Sequence, residues 1–161
     1  MLDRLRPIWP LLTLLVSGGL LAGAHAFETF GGLRPCPMCL DQRNWHWGVV
    51  VVSALMFIVA RVRPEWSRLA VLACGLALAG ATYMALYHVA VEQHWVPATC
   101  DARINLNNIK PWSLDGEVEA PHCDEIAWSM FGISMAGYNA IVSGLAALTT
   151  FFVALAPARK A

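Results

Sequence analysis

Residues 69–91 read LAVLACGLALAGATYMALYHVAV, a run without one charged side chain between Arg68 and Glu92. A helix needs roughly 20 apolar residues to cross the hydrocarbon core of a bilayer, and an unpaired charge there is expensive. This run meets both conditions, and it has neighbours: uncharged stretches also occupy 7–27, 44–60 and 126–158. Backbone groups inside a bilayer must be satisfied within their own segment, so apolar segments of this length are helices rather than strands. The 161 residues are 58% hydrophobic and 14% charged, against about 25% charged in ordinary soluble domains. The expected fold is an all-α membrane protein, an antiparallel bundle of four transmembrane helices over 8–27, 42–60, 69–91 and 132–156. Two outward-facing cysteine-bearing loops, 28–41 and 92–131, complete a single integral membrane domain.

The formal net charge is zero, from 11 basic and 11 acidic residues. No basic field exists to hold a phosphate backbone, which excludes nucleic acid as a partner, and the apolar composition excludes a disordered chain. The basic residues are nevertheless distributed unevenly. Arg4, Arg6, Arg61, Arg63, Arg68, Arg159 and Lys160 flank one side of the expected spans. Positive flanking residues stay cytoplasmic, so both termini are expected in the cytoplasm and the cysteine loops in the opposite compartment. Arg4, Arg6, an apolar run and Ala24-His25-Ala26 also imitate a cleavable secretory leader. The run is long for a signal core, and its removal would leave the positive pattern half explained, so it is read as a retained helix. Gly19 with Gly23, and Gly75 followed by Gly80, read as small residues for close helix packing. Trp9, Trp45, Trp47, Trp66, Trp95 and Trp128 fall near helix ends, as an aromatic belt requires, and are expected to have no binding role. Ile104, Leu106, Ile109 and Trp112 suit a short turn lying on the lipid surface.

An outer compartment changes what cysteines can do, because it permits disulfides that the cytosol would reduce. Cys36 and Cys39 form a C-x-x-C just before the second helix, Cys100 and Cys123 bracket the long loop, and Cys74 lies within the third stretch as a small apolar residue. A helix N-terminus stabilises a thiolate, and Arg43, four residues after Cys39, places a permanent cation on the same face. Residues 36–43, CPMCLDQR, therefore read as a nucleophilic dithiol at a membrane surface, within reach of a lipid-soluble oxidant. Pro37 removes one N–H that could have supported the thiolate. Other readings compete. The four cysteines could form two structural disulfides, although C-x-x-C closes a small, labile ring that adds little loop entropy. A zinc site of four thiolates, or of three with His122, lacks a second pair in ligand spacing, so no metal is expected. Arg43 could be a headgroup anchor.

Cys100 and Cys123 are separated by 22 residues that include Pro111, Gly116 and Pro121, a loop able to bring its ends together or let them part. Such a pair can exchange with a visiting protein. Together the two pairs suggest a relay, with electrons entering at the loop and leaving at the helix-end dithiol by thiolate attack on a disulfide. The loop's acidity, six carboxylates against Arg103 and Lys110 between 101 and 125, reads as a solubility feature. No flavin or nucleotide motif offers another electron sink.

Pro35-Cys36-x-x-Cys39 followed by Gln42-Arg43, then Tyr87-His88, Cys100, Cys123, and Phe131-Gly132-x-Ser134 with Asn139 run along nearly the whole chain. In these residues the sequence resembles the bacterial disulfide bond formation protein B (DsbB) family. The resemblance implies a quinone-dependent thiol oxidase of the inner membrane that reoxidises a periplasmic DsbA-like thioredoxin-fold oxidase and passes the electrons to ubiquinone or menaquinone. It implies that Cys36 and Cys39 are the quinone-coupled pair, with Cys39 the thiolate against the quinone, Arg43 supporting it and His88 lining the pocket. It further implies that Cys100 and Cys123 face the partner, with Cys100 taking the mixed disulfide and Cys123 passing to Cys36. His25, His46, His94 and His122 receive no role. The vitamin K epoxide reductase family shares four helices and two cysteine pairs, but there the loop cysteines come first and the C-x-x-C last, the reverse of this chain. A non-catalytic thiolate metal carrier or disulfide-stapled scaffold is the alternative from another class.

Overall fold

The structure, a computed structural model, describes residues 5–98, 100 and 121–157. Four long helices dominate it: α1 (Trp9–Gly31), α2 (Pro37–Val62), α3 (Ser67–Glu92) and α4 (Met135–Leu155). A 3-10 turn, Pro64–Trp66, joins α2 to α3, and a short hairpin of β1 (Ser129–Met130) and β2 (Ile133–Ser134) precedes α4. The helices hold 23, 26, 26 and 21 residues. At about 1.5 Å per residue each is at least about 30 Å long, the thickness of a bilayer core. All four are apolar enough to cross a membrane.

Successive helices pack along their lengths, whereas α1 and α4 touch far less, so the four-helix bundle is less tightly closed along that seam. Its outer faces are apolar: Leu15, Val51, Leu55, Ile58, Leu76, Leu145, Leu148 and Phe152 are each more than half exposed. Water would penalise that surface and lipid does not. The interior is built from small residues, with Ala60, Ala70, Ala81, Ala85 and Ala154 sealed beside Ser17, Ser53 and Ser143. With no hydrophobic force between helices in lipid, close backbone approach supplies the cohesion. Gly75 and Gly80 serve it as expected. A Cβ on Gly75 would lie 3.0 Å from the Phe151 ring, and one on Gly80 would collide with the Trp45 ring.

Gly19 and Gly23 behave otherwise. A Cβ on either meets nothing within 4 Å, and both line a cavity. The packing role expected for this small-x-x-x-small pair is therefore corrected: spacing along a helix cannot tell a groove filled by a neighbour from one left open.

Helix ends depart from the charge-free stretches for a common reason, that interfacial turns tolerate charge and caps set the boundary. The second helix begins at Pro37, not at 42, so Asp41 as well as Arg43 lies within it. Proline suits the first helical position, where its missing N–H is unpaired in any case, and Cys36 Sγ caps the turn by accepting from the Cys39 N–H at 3.2 Å. The first helix runs through Ala24-His25-Ala26 to Gly31 and stops at Gly32, whose φ of 64° is left-handed. The fourth starts at Met135, not 132, because Phe131 (φ 53°) and Gly132 (φ 78°) form a two-residue hairpin turn that pairs Ser129 with Ser134 and Met130 with Ile133. Ser134 Oγ then caps α4, accepting from Gly137 N–H at 3.1 Å.

At the other end, Arg6 Nε donates to Val153 O at 3.1 Å and its Nη2 to Ala156 O, satisfying carbonyls at the C-terminus of α4. The two ends of the described chain thus meet at one end of the bundle. Arg4, Arg159 and Lys160 lie outside the described residues, as do Arg103, Lys110, Pro111 and Gly116 and the turn expected from Ile104, Leu106, Ile109 and Trp112.

Candidate functional site

Both cysteine pairs stand at the end of the bundle opposite Arg6. Cys36 caps α2 and Cys39 sits in its first turn, with the two Sγ atoms 2.7 Å apart as free thiols. Cys100 and Cys123 form a disulfide, their Cα atoms 6.0 Å apart. Cys36, Met38, Val91 and Cys123 are buried in one cluster, with Cys39, Tyr87, Val96 and Cys100 packed against it. The loop pair therefore rests on the helix-end pair. Cys74 is far down α3, buried and free, beside Ser53 and Thr13.

Donor atoms of Cys36, Cys39 and His88 lie within 4.8 Å of one another. Tetrahedral zinc, with Zn–S near about 2.3 Å, holds two thiolates roughly 3.7 Å apart. The closer approach seen here suits sulfur–sulfur chemistry. With Cys100 and Cys123 already joined, the four-thiolate zinc site considered from the sequence does not form.

The hydrogen bond to Cys39, followed by burial, holds the Cys36 thiol above its ordinary range, against a smaller opposing effect of the Cys39 and Met38 backbone N–H groups. Cys36 is thus the member that keeps the shared proton. The N–H lost to Pro37 leaves Cys36 no poorer, because the next two residues supply theirs.

Arg43 turns inward. Its Nη1 pairs with Glu28 of α1 and its Nη2 donates to Ala24 O at 3.2 Å, with the side chain only 13% exposed. These partners bind α2 to α1 beside Cys39, an arrangement unlike a headgroup anchor. Glu28 was invisible to motif reading, since an acidic residue at a helix end carries no signal without its partner.

His88, 3% exposed, approaches Cys36 Sγ with Nε2 at 3.7 Å and Glu92 Oε1 at 4.0 Å. Its Nδ1 is 2.6 Å from Gln42 Nε2. Gln42 Oε1 accepts from Asn139 Nδ2 at 2.7 Å; Asn139 Oδ1 takes His46 Nε2 at 2.9 Å and Ser143 Oγ at 2.8 Å; His46 Nδ1 meets Ser17 Oγ at 3.3 Å. One buried polar chain thus joins all four helices. His46, given no role from the sequence, links Asn139 of α4 to Ser17 of α1. A lone histidine in an apolar stretch announces nothing until four helices are assembled around it. Glu92, at the end of α3, is hydrogen-bonded by Ser134 Oγ.

A cavity of about 410 Å³ opens against these groups. Gly19, Gly23, Ala24 and Phe27 of α1 form one wall; Cys39, Gln42, Arg43 and His88 form a second edge; Met135, Tyr138 and Asn139 of α4 line the rest. Trp128, read as a belt residue, lines the cavity instead, with its ring centroid 5.0 Å from that of Phe27 and 6.1 Å from that of Tyr138. His122 lines it too.

Comparison with known proteins gives the chain a family. The family model described as disulfide bond formation protein DsbB matches residues 6–153. The chain is similar to disulfide bond formation protein B of Marinobacter nauticus, 31% identical over 153 residues that cover 89% of each chain. It is similar to the protein of that name from Shewanella loihica, 32% identical over 163 residues, 97% of this chain and 94% of the other. Disulfide bond formation protein B 2 of Pseudomonas putida is 30% identical over 125 residues, 75% of this chain and 74% of its own. No solved structure matches the chain. With a family match that spans nearly its whole length, the chain belongs to the disulfide bond formation protein DsbB family.

Proposed function

We propose that this disulfide-generating oxidoreductase takes two electrons from a periplasmic DsbA-like thioredoxin-fold dithiol, through Cys100 and Cys123 and then Cys36 and Cys39, and delivers them to a quinone in the inner membrane. The observation that carries this reading is the packing of both cysteine pairs into one cluster at the edge of the cavity. Sulfur exchange requires only that the pairs touch.

The sequence of bonds balances. A partner thiolate attacks Cys100 and releases Cys123 as a thiolate; the partner's second thiol then displaces Cys100 and leaves with the disulfide. With Cys36 and Cys39 oxidised, Cys123 attacks Cys36 and releases Cys39. Cys100 next attacks Cys123, restoring the loop disulfide and freeing Cys36. Two electrons now reside in the Cys36 and Cys39 thiols.

The cavity fits a quinone ring, ubiquinone or menaquinone. Its volume lies in the usual range for small-molecule sites, and its walls are mostly apolar with a few convergent polar groups. Side chains missing at Gly19 and Gly23 leave room for a flat ring, Gln42 and Arg43 carry N–H groups at its edge, His88 lines the same edge, and Cys39 faces it. The seam between α1 and α4, the least packed of the four seams between neighbouring helices, supports a side entrance from lipid. When bound there, a quinone would supply the acceptor of two electrons and two protons that lets the Cys36 and Cys39 thiols return to a disulfide. The grouping of Arg6, Arg61, Arg63 and Arg68 supports an orientation with that end of the bundle and both termini cytoplasmic, and the redox loops periplasmic.

Purified protein mixed with quinone and a reduced thioredoxin-fold dithiol tests the reading by quinone absorbance. Wild type turns over; Cys36→Ser and Cys39→Ser abolish quinone reduction; Cys100→Ser blocks uptake from the partner. Quinone reduction that survives Cys39→Ser would refute the assignment.

A further inference from the structure

We infer that Gln42 and Asn139 are positioning residues that hold His88 as its Nε2–H tautomer, with that N–H aimed at Cys36 Sγ. The inference rests on reading Cys36 and Cys39 as the working dithiol.

A chain of hydrogen bonds through amides has a direction, and here the direction can be traced. Asn139 Oδ1 takes both Ser143 Oγ and His46 Nε2, and its amide nitrogen lies on Gln42 Oε1. Gln42 must then present its own amide nitrogen to His88 Nδ1, 2.6 Å away. A nitrogen receiving an N–H cannot carry a proton, so the neutral imidazole places its proton on Nε2. The surroundings of the ring agree independently. Nε2 faces Cys36 Sγ at 3.7 Å and the Glu92 carboxylate at 4.0 Å, both acceptors, and the backbone of Cys123 hydrogen-bonds the same imidazole. The acceptors at Nε2, Cys36 Sγ and Glu92 Oε1, are on the side where the proton belongs, and Gln42 offers its nitrogen to the other side.

The consequence is chemical. Were the chain reversed, Nε2 would be bare and His88 would act as a base toward the Cys36 thiol. In the direction found, His88 is a fixed donor that supports Cys36 when its sulfur carries negative charge. The titratable groups around it are Cys36 at the cap of α2, Cys39 and Arg43 of α2, Glu92 of its own helix, and His122 and Glu125 of the second loop, all lining the same cavity.

The test uses reduced protein labelled with ¹⁵N-histidine in detergent micelles, read by two-bond nitrogen–proton correlations, with His88 assigned from the signals lost in His88→Gln. Wild type is expected to show His88 protonated at Nε2. Gln42→Glu replaces the amide donor with an acceptor and should move the proton to Nδ1. In a Cys39→Ser background, the same change should slow alkylation of Cys36 about tenfold at each pH below its titration, the low end of what a hydrogen bond to a charged group contributes. Asn139→Leu, which frees the Gln42 amide to turn, should give a mixture of tautomers. A proton on Nδ1 in the wild type overturns the inference, as does a Gln42→Glu protein still protonated at Nε2; an unchanged tautomer in Asn139→Leu removes Asn139 from it. If Gln42→Glu fails to fold, the wild-type spectrum decides. The measurement needs neither quinone nor partner, so its failure is distinguishable from failure of the proposed activity.

Discussion

Replacing Gly23 with leucine separates a cavity wall from a packing contact. A Cβ at Gly23 meets no atom within 4 Å and projects toward a space of about 410 Å³. A leucine side chain fills about 100 Å³, on the scale of the holes left by Leu→Ala substitutions, and so removes roughly a quarter of that space. Excluding two or three carbons of a bound ring, at about 0.8 kcal/mol each, costs about 2 kcal/mol. That loss raises the KM for a short-chain quinone roughly thirtyfold. Stability moves the other way, because leucine is about 1 kcal/mol better than glycine inside a helix. Gly80→Ala is the contrasting control: its Cβ collides with the Trp45 ring, so overpacking should cost about 1–3 kcal/mol and lower Tm. The assay pairs steady-state quinone reduction at saturating dithiol with thermal unfolding of the detergent-solubilised protein. A Gly23→Leu protein with unchanged KM and a Tm as depressed as that of Gly80→Ala would refute the cavity reading and restore Gly23 to helix packing.

Alkylation of Cys36 by a small reagent should be slow at neutral pH and rise only above the ordinary cysteine range, because the bond to Cys39 and burial hold its thiol up; Cys39→Ser should shift the profile to lower pH. A wild-type profile centred near the usual value of about 8.5 would contradict this. Arg43→Ala should raise the apparent KM for quinone while also loosening α1 from α2; an unchanged KM with a lowered Tm would reduce Arg43 to the link with Glu28 and Ala24. Cys74→Ser should retain turnover within about twofold, since Ser53 and Thr13 stand ready to hydrogen-bond the new hydroxyl. A loss as severe as that from Cys36→Ser would mean the pairs are wrongly assigned.

Four helices and the position of the C-x-x-C thiols at a helix end were legible in the linear chain because each rests on local physics. A charge-free run of bilayer length has one stable conformation in lipid, and a C-x-x-C before an apolar run places its thiols at a helix start whatever surrounds them. Boundaries were less legible. Cys36 and Ser134 end their helices through side-chain caps, and the turn at Phe131-Gly132 depends on two left-handed residues that no hydropathy pattern registers.

Contacts between distant segments lie beyond any such pattern. Gly19 and Gly75 look alike along their helices, yet one borders open space and the other a phenylalanine ring, and the difference arises from which helices meet and how closely. Likewise His46, Gln42 and Asn139 become one hydrogen-bonded chain only when α2 and α4 bring their buried polar groups together, where the lack of water compels each to find a partner. Local chemistry set what each segment is; the convergence of four helices set which side chains share a wall, a proton or an electron path.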